Sequence, residues 1–70
     1  MAQTNKFFLN GQKYSVNQAI HIFDLINYFN YNESLLILEH NNLVCHQKNW
    51  KNILIKDQDK IEIITIVGGG

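Results

Sequence analysis

Helical apolar spacing occurs in one stretch of this 70-residue chain, and that limits what the chain can fold into. Ile22, Leu25, Ile26 and Phe29 fall at i, i+3, i+4 and i+7, which is one face of an α-helix. Asp24 and Asn27 point away from that face, and an acidic residue near the N-terminus suits the helix dipole. Ser15, Asn17 and His21 are each candidates to cap the opening turn, and Asn30-Tyr31-Asn32 ends the helix. A helix this short must bury its apolar face against something else, and the rest of the chain reads as strands.

Lys6-Phe7-Phe8-Leu9 and Gln12-Lys13-Tyr14-Ser15-Val16 flank Asn10-Gly11. Both central residues of a type I′ turn need positive φ, which Asn and Gly tolerate best, so this is a β-hairpin. Leu35 to Glu39 is apolar on both faces, as expected of a central strand with a helix on one side. Asn41-Asn42 turns into a short return strand, Leu43-Val44-Cys45. His46 to Asn52 is polar around Trp50, a loop or single helical turn, and Ile53-Leu54-Ile55 is a short apolar segment. Asp57-Gln58-Asp59-Lys60 is a turn before a last strand, Ile61 to Val67. In that strand Ile61, Ile63 and Val67 alternate with Glu62, Ile64 and Ile66. The expected class is α+β, a mixed sheet of four or five strands packed on one main helix. If the last strand lies parallel to the first, with the helix crossing between them, the architecture is a β-grasp.

Composition removes several functions. Seventy residues allow one small domain, expected at 1–67, with little room for an internal active-site cavity. Six Lys, no Arg and six acidic residues give a formal net charge of zero, and the lysines are scattered, which argues against a nucleic-acid partner. The longest apolar run, Leu35-Leu36-Ile37-Leu38, is far too short for a membrane span, and the start has no secretory h-region. Cys45 is the single cysteine, so no intramolecular disulfide forms and a reducing compartment fits. Ten Asn and ten Ile with no Pro or Arg have the character of AT-rich coding.

Three of the four glycines, Gly68, Gly69 and Gly70, follow the last apolar strand. A glycine run loses much backbone entropy on ordering and packs nothing, so it does not serve folding. A flexible tail at 68–70 reaches about 10 Å past the sheet, and without Cβ atoms it fits a narrow channel. That shape suits delivery of a terminal carboxylate into another protein's active site, although an inert flexible end has the same composition. The carboxylate is ionised at neutral pH and a poor electrophile, so it needs activation, most simply by adenylation. No phosphate-binding glycine loop or Arg cluster stands in this sequence, so the ATP-using enzyme is expected to be a partner.

Asn10-Gly11 in an opening hairpin, Ile22 with Leu25-Ile26 on a helix, Asp57-x-Asp59 before a last strand and the ending Ile61-Glu62-Ile63-Ile64-Thr65-Ile66-Val67-Gly68-Gly69-Gly70 together resemble the ThiS family of ubiquitin-like sulfur carriers. Trp50 lies where that family often has Trp, and the length suits it better than the related molybdopterin-synthase small subunit. The resemblance implies a β-grasp fold and a carrier that is monomeric when free and is not itself an enzyme. A ThiF-like enzyme would adenylate its C-terminal glycine with ATP, and a sulfur-donor enzyme would supply the sulfur of a thiocarboxylate. Thiazole synthase, ThiG, would consume that sulfur in thiamin biosynthesis. On this resemblance Gly70 is the acyl carrier, Gly69 the second tail residue and Gly68 a weaker candidate. No cofactor is expected on the chain itself. The compartment is the bacterial cytoplasm or, for a plastid-encoded chain, the stroma.

The remaining chemistry-bearing residues give less. His21, His40 and His46 with Cys45 match no zinc spacing, and no local signature makes Cys45 a nucleophile. Asp57 and Asp59 read as solvated turn-formers, and the aromatic residues as core and rim. On the last strand Ile61 and Ile63 should face the helix, leaving Glu62, Ile64 and Ile66 as a partner-binding patch. The rival readings are a carrier for molybdopterin or another thiolated product, a protein-tagging modifier, and an interaction module with an inert tail.

Overall fold

A computed structural model describes residues 4–66. The tail residues Gly68, Gly69 and Gly70, and with them Val67, lie outside the described residues. Strands β1 (Asn5–Leu9) and β2 (Gln12–Val16) form the opening antiparallel hairpin, with Leu9 opposite Gln12. Its turn is left-handed at both central residues, Asn10 at φ 50° and Gly11 at φ 81°, as a type I′ turn requires. Asn10 does more than turn the chain. Its N–H donates to the Ile61 carbonyl at 2.9 Å and its Oδ1 accepts from the Ile63 N–H at 2.8 Å, prolonging β1 along the last strand.

Helix α1 (Ile22–Tyr28) follows, with His21 as its N-cap residue. The Asp24 carboxylate reaches back to accept the His21 N–H at 2.8 Å, occupying a donor that the first turn leaves free. At the other end Asn30 stands at φ 61°, its N–H bonded to the Asn27 carbonyl, while the Tyr31 N–H bonds to that of Ile26. This is a Schellman cap with Asn in the position that usually takes glycine. Ile22, Leu25 and Ile26 are buried, whereas Phe29 is half-buried and packs against Tyr14, Tyr28 and Tyr31.

A 3-10 turn at Glu33–Leu35 leads into β3 (Leu36–His40), and β4 (Leu43–Val44) returns beside it. A second 3-10 segment at Gln47–Asn52 buries Trp50, and β5 (Lys60–Thr65) completes the sheet. The strand order is β2-β1-β5-β3-β4, with β5 parallel to β1 and antiparallel to β3. A mixed five-stranded sheet with a crossover helix between two parallel strands is the β-grasp arrangement expected. Phe7 and Leu9 of β1, Leu36 and Leu38 of β3, and Ile61 and Ile63 of β5 meet the buried face of α1 in one core. Trp50, Ile55 and Cys45 close it, with Trp50 Nε1 donating to the Cys45 carbonyl at 3.0 Å.

Three details differ from the sequence reading. Leu35 belongs to the 3-10 turn and not to β3, and the sheet's central strand is β5, with β3 beside it; β3 buries Leu36 and Leu38 on one face and leaves Ile37 on the other 42% exposed. Strand β4 stops at Val44, one residue earlier than expected, while Cys45 is buried and its N–H bonds to the Leu38 carbonyl at 2.8 Å. Asp59 is not a solvated turn residue; it is buried and hydrogen-bonded to His40, Asn41 and the Lys56 N–H.

Candidate functional site

Alternation along β5 sends Ile61 and Ile63 to the helix and Glu62 and Ile64 to the opposite, outer face of the sheet. Ile64 is 50% exposed and Ile66 47%, large values for branched aliphatic side chains. The register adds a residue that the sequence did not single out. Ile37 stands directly opposite Ile64, so the two share the outer face at cross-strand contact range. Ile66 continues the pairing through its N–H, which donates to the Leu35 carbonyl at 2.7 Å, and Leu35 is itself 46% exposed. Val44, opposite Glu39, extends the exposed apolar surface toward the sheet edge. The result is a patch of Leu35, Ile37, Ile64 and Ile66 around the end of β5, where the chain runs on toward the glycines. The alternation of buried Leu36 and Leu38 about Ile37 was the signal available for it, masked by the unbroken run Leu35 to Leu38.

A compact polar cluster lies at the opposite end of β5. Asp59 Oδ2 accepts from His40 Nε2 at 2.9 Å and from the Lys56 N–H at 2.8 Å, and Oδ1 accepts from Asn41 Nδ2 at 3.0 Å. Burial pushes the Asp59 carboxyl up, but the bonds from Asn41, His40 and Lys56 together outweigh it and hold it below its ordinary value. Asn41, left-handed at φ 53°, also receives the Lys60 N–H on its Oδ1 at 2.8 Å. His40 and Asp59 have the separation of a catalytic dyad, but here the carboxylate's oxygens are taken up by its own fold. The cluster clasps the β3–β4 turn to the start of β5.

Asp57 is the solvated turn-former of the pair. The Lys6 N–H donates to its Oδ1 at 2.7 Å, and that bond, with one from Gln58, lowers its carboxyl. Cys45 is buried and desolvation raises its thiol, the reverse of what a nucleophilic thiolate needs. No group of three His, Cys, Asp or Glu side chains among the described residues is placed to hold a metal ion. What the described residues present is an exposed apolar patch where β5 ends.

Comparison with known proteins bears on the family and the fold. The family model described as "ThiS family" matches residues 2–70. A relative named "Uncharacterized protein ycf40" from Trieres chinensis is 58% identical over 64 residues, 91% of this chain and 88% of that protein. Its namesake from Porphyra purpurea is 36% identical over 62 residues, 89% of this chain and 87% of that one. Among solved structures, the crystal structure of the thiamine biosynthesis protein ThiS from Geobacter metallireducens superposes with a TM-score of 0.77 at 20% identity, over 93% of this chain and 99% of that one. The solution structure from the same organism superposes at 0.75, also at 20% identity, over 93% of this chain and 87% of that one. At that identity the likeness concerns the fold.

Proposed function

The chain belongs to the ThiS family, and on that premise we propose that it carries sulfur as a thiocarboxylate on Gly70 for thiazole formation. Family and fold together support a sulfur-carrier role in thiamin biosynthesis. The observation that carries the finer reading is the extent of the family match, which runs on from the β-grasp domain through Gly68, Gly69 and Gly70. In this reading a carboxylate oxygen of Gly70 attacks the α-phosphorus of ATP in a ThiF-like enzyme, and pyrophosphate leaves. Sulfide-level sulfur from a donor enzyme then attacks the acyl carbon, and AMP leaves with the carboxyl oxygen. The thiocarboxylate sulfur is a soft nucleophile for thiazole synthase, ThiG. Leu35, Ile37, Ile64 and Ile66 give the client enzymes an apolar surface beside the tail, while the chain contributes no catalytic group of its own. The plastid gene designation ycf40 of the relatives favours the stroma over the bacterial cytoplasm as the compartment.

ATP–pyrophosphate exchange with the purified adenylating enzyme tests the reading. Deleting Gly69 and Gly70 removes no core side chain and shortens the reach by about 7 Å. Exchange should vanish while the unfolding midpoint holds, and one residue appended after Gly70 should act in the same way. Equal exchange by intact, shortened and extended chains refutes the terminal acyl carrier.

A further inference from the structure

The outer sheet face carries a contact that a free-standing domain has reason to avoid. Glu39 of β3 stands directly opposite Glu62 of β5. Residues paired in this way bring their Cβ atoms to about 4.5–5.5 Å, and like charges there oppose sheet pairing. Among the described residues neither carboxylate has a hydrogen bond or an ion pair; the ion pairs present are His21–Asp24 and His40–Asp59. The adjoining outer rung is the apolar pair Ile37–Ile64, and Val44 lies opposite Glu39 on the other flank. Two uncompensated carboxylates are thus set into the margin of the exposed apolar patch.

The lysines of the same face gather toward one side of it, Lys60 the nearest, two residues before Glu62 on β5. Lys13 of β2 is opposite Phe8 of β1, and Phe8 is in register with Lys60, the first residue of β5, so these two lysines share the outer face with Phe8. Lys6, opposite Ser15, stands on the same side two residues before Phe8. The face is therefore divided, basic over β1, β2 and the first residue of β5, and acidic where β3 pairs with β5 at Glu39 and Glu62. Such a division orients a partner, because only one way of docking matches both signs.

We infer that this face docks a protein surface that seats a basic side chain between Glu39 and Glu62, next to an apolar ridge covering Ile37 and Ile64. An arginine fits best, since its planar fork can donate to both carboxylates at once. The inference rests on the carrier reading and assigns the partner as the adenylating enzyme. An enzyme that binds ATP and takes up a carboxylate concentrates positive charge around its site, and an acidic rung near the tail is drawn toward it. Glu62 lies four residues before Ile66, about 13 Å along the strand, well inside the footprint of a standard interface.

The test measures the affinity of the purified chain for the purified adenylating enzyme of the same genome, at low and at moderate NaCl. Glu39→Gln, Glu62→Gln and the double variant are compared with the native chain. The double variant is expected to bind at least tenfold more weakly at low salt and to lose most of the salt dependence. Its urea midpoint should stay level or rise, because the substitutions remove a repulsion. Unchanged affinity with an unchanged salt slope overturns the proposal, as does a weakening matched by a fall in the urea midpoint. It is equally overturned if only thiazole synthase binding responds, or if the face turns out to join two copies of this chain. A native chain that is neither bound nor adenylated refutes the carrier reading itself, and this inference with it.

Discussion

Replacing Asp59 with Asn keeps the shape of a buried side chain and removes one acceptor. Asp59 accepts three hydrogen bonds, two on Oδ2 from His40 and the Lys56 N–H and one on Oδ1 from Asn41. If the new amide oxygen takes the Oδ2 position, its NH2 faces the Asn41 NH2, donor against donor. If the amide is flipped, its NH2 faces the Lys56 N–H. Either way a donor in a part-buried site loses its partner, and the remaining bonds lose the carboxylate charge. Such a loss costs about 1–3 kcal/mol. In a domain of this size each kcal/mol moves the melting temperature by roughly 4–8 °C. Trp50, 2% exposed and the single tryptophan, reports unfolding by fluorescence, and urea titration gives the difference directly. The pH dependence has a definite sign. The Asp59 carboxyl is held below its ordinary value, so its stabilisation is complete above the unfolded carboxylate value near 4 and is lost as pH falls through the lower folded one. The gap between native and variant chains should therefore be widest near neutrality and close on acidification below about pH 4. Equal urea midpoints at pH 7, or a gap that does not narrow on acidification, would refute the clasp.

Gly11→Ala should destabilise by about 1–2 kcal/mol, the cost of a left-handed residue bearing a Cβ. The added methyl meets no atom within 4 Å, so the loss comes from φ alone, and an unchanged melting temperature would contradict this. Ile63→Ala, at a core position 7% exposed, should cost about 2–5 kcal/mol in urea unfolding, and a negligible shift would remove Ile63 from the core. Ile64→Asp should leave the unfolding midpoint within about 0.5 kcal/mol, as surface changes do, while binding to the adenylating enzyme weakens by more than 1 kcal/mol in titration calorimetry. An unfolded Ile64→Asp chain would mean that the strand face is wrongly assigned.

The hairpin, the helix and the alternation of β5 were legible because each is written in a few adjacent residues. Positive φ at Asn10 and Gly11 is a property of those two residues, and the apolar face of α1 needs only the spacing of Ile22, Leu25 and Ile26. The exposure of Ile64 and Ile66 likewise follows from period two, once Ile61 and Ile63 are turned inward. The β3 segment misled for the same reason. Four consecutive apolar residues show no period, so nothing local distinguished Leu38, which is buried, from Ile37, which is not. Asp59 misled too, since Asp57-Gln58-Asp59 has turn composition wherever it is placed, and its three donors come from other residues of the fold.

By itself, then, the sequence determined the local elements, the inward face of each long periodic one and the glycine run whose chemistry suggested a carrier. The tertiary structure alone decided which strands are neighbours. Seating β5 between β1 and β3 set Ile37 against Ile64 and Glu39 against Glu62, and so made one face of scattered residues. It also brought His40 and Asn41 to Asp59, across a sequence separation of 19 and 18 residues. The physical reason is that periodicity constrains each segment separately. Register and burial belong to pairs of segments, and they are settled only when distant parts of the chain compete for one small core.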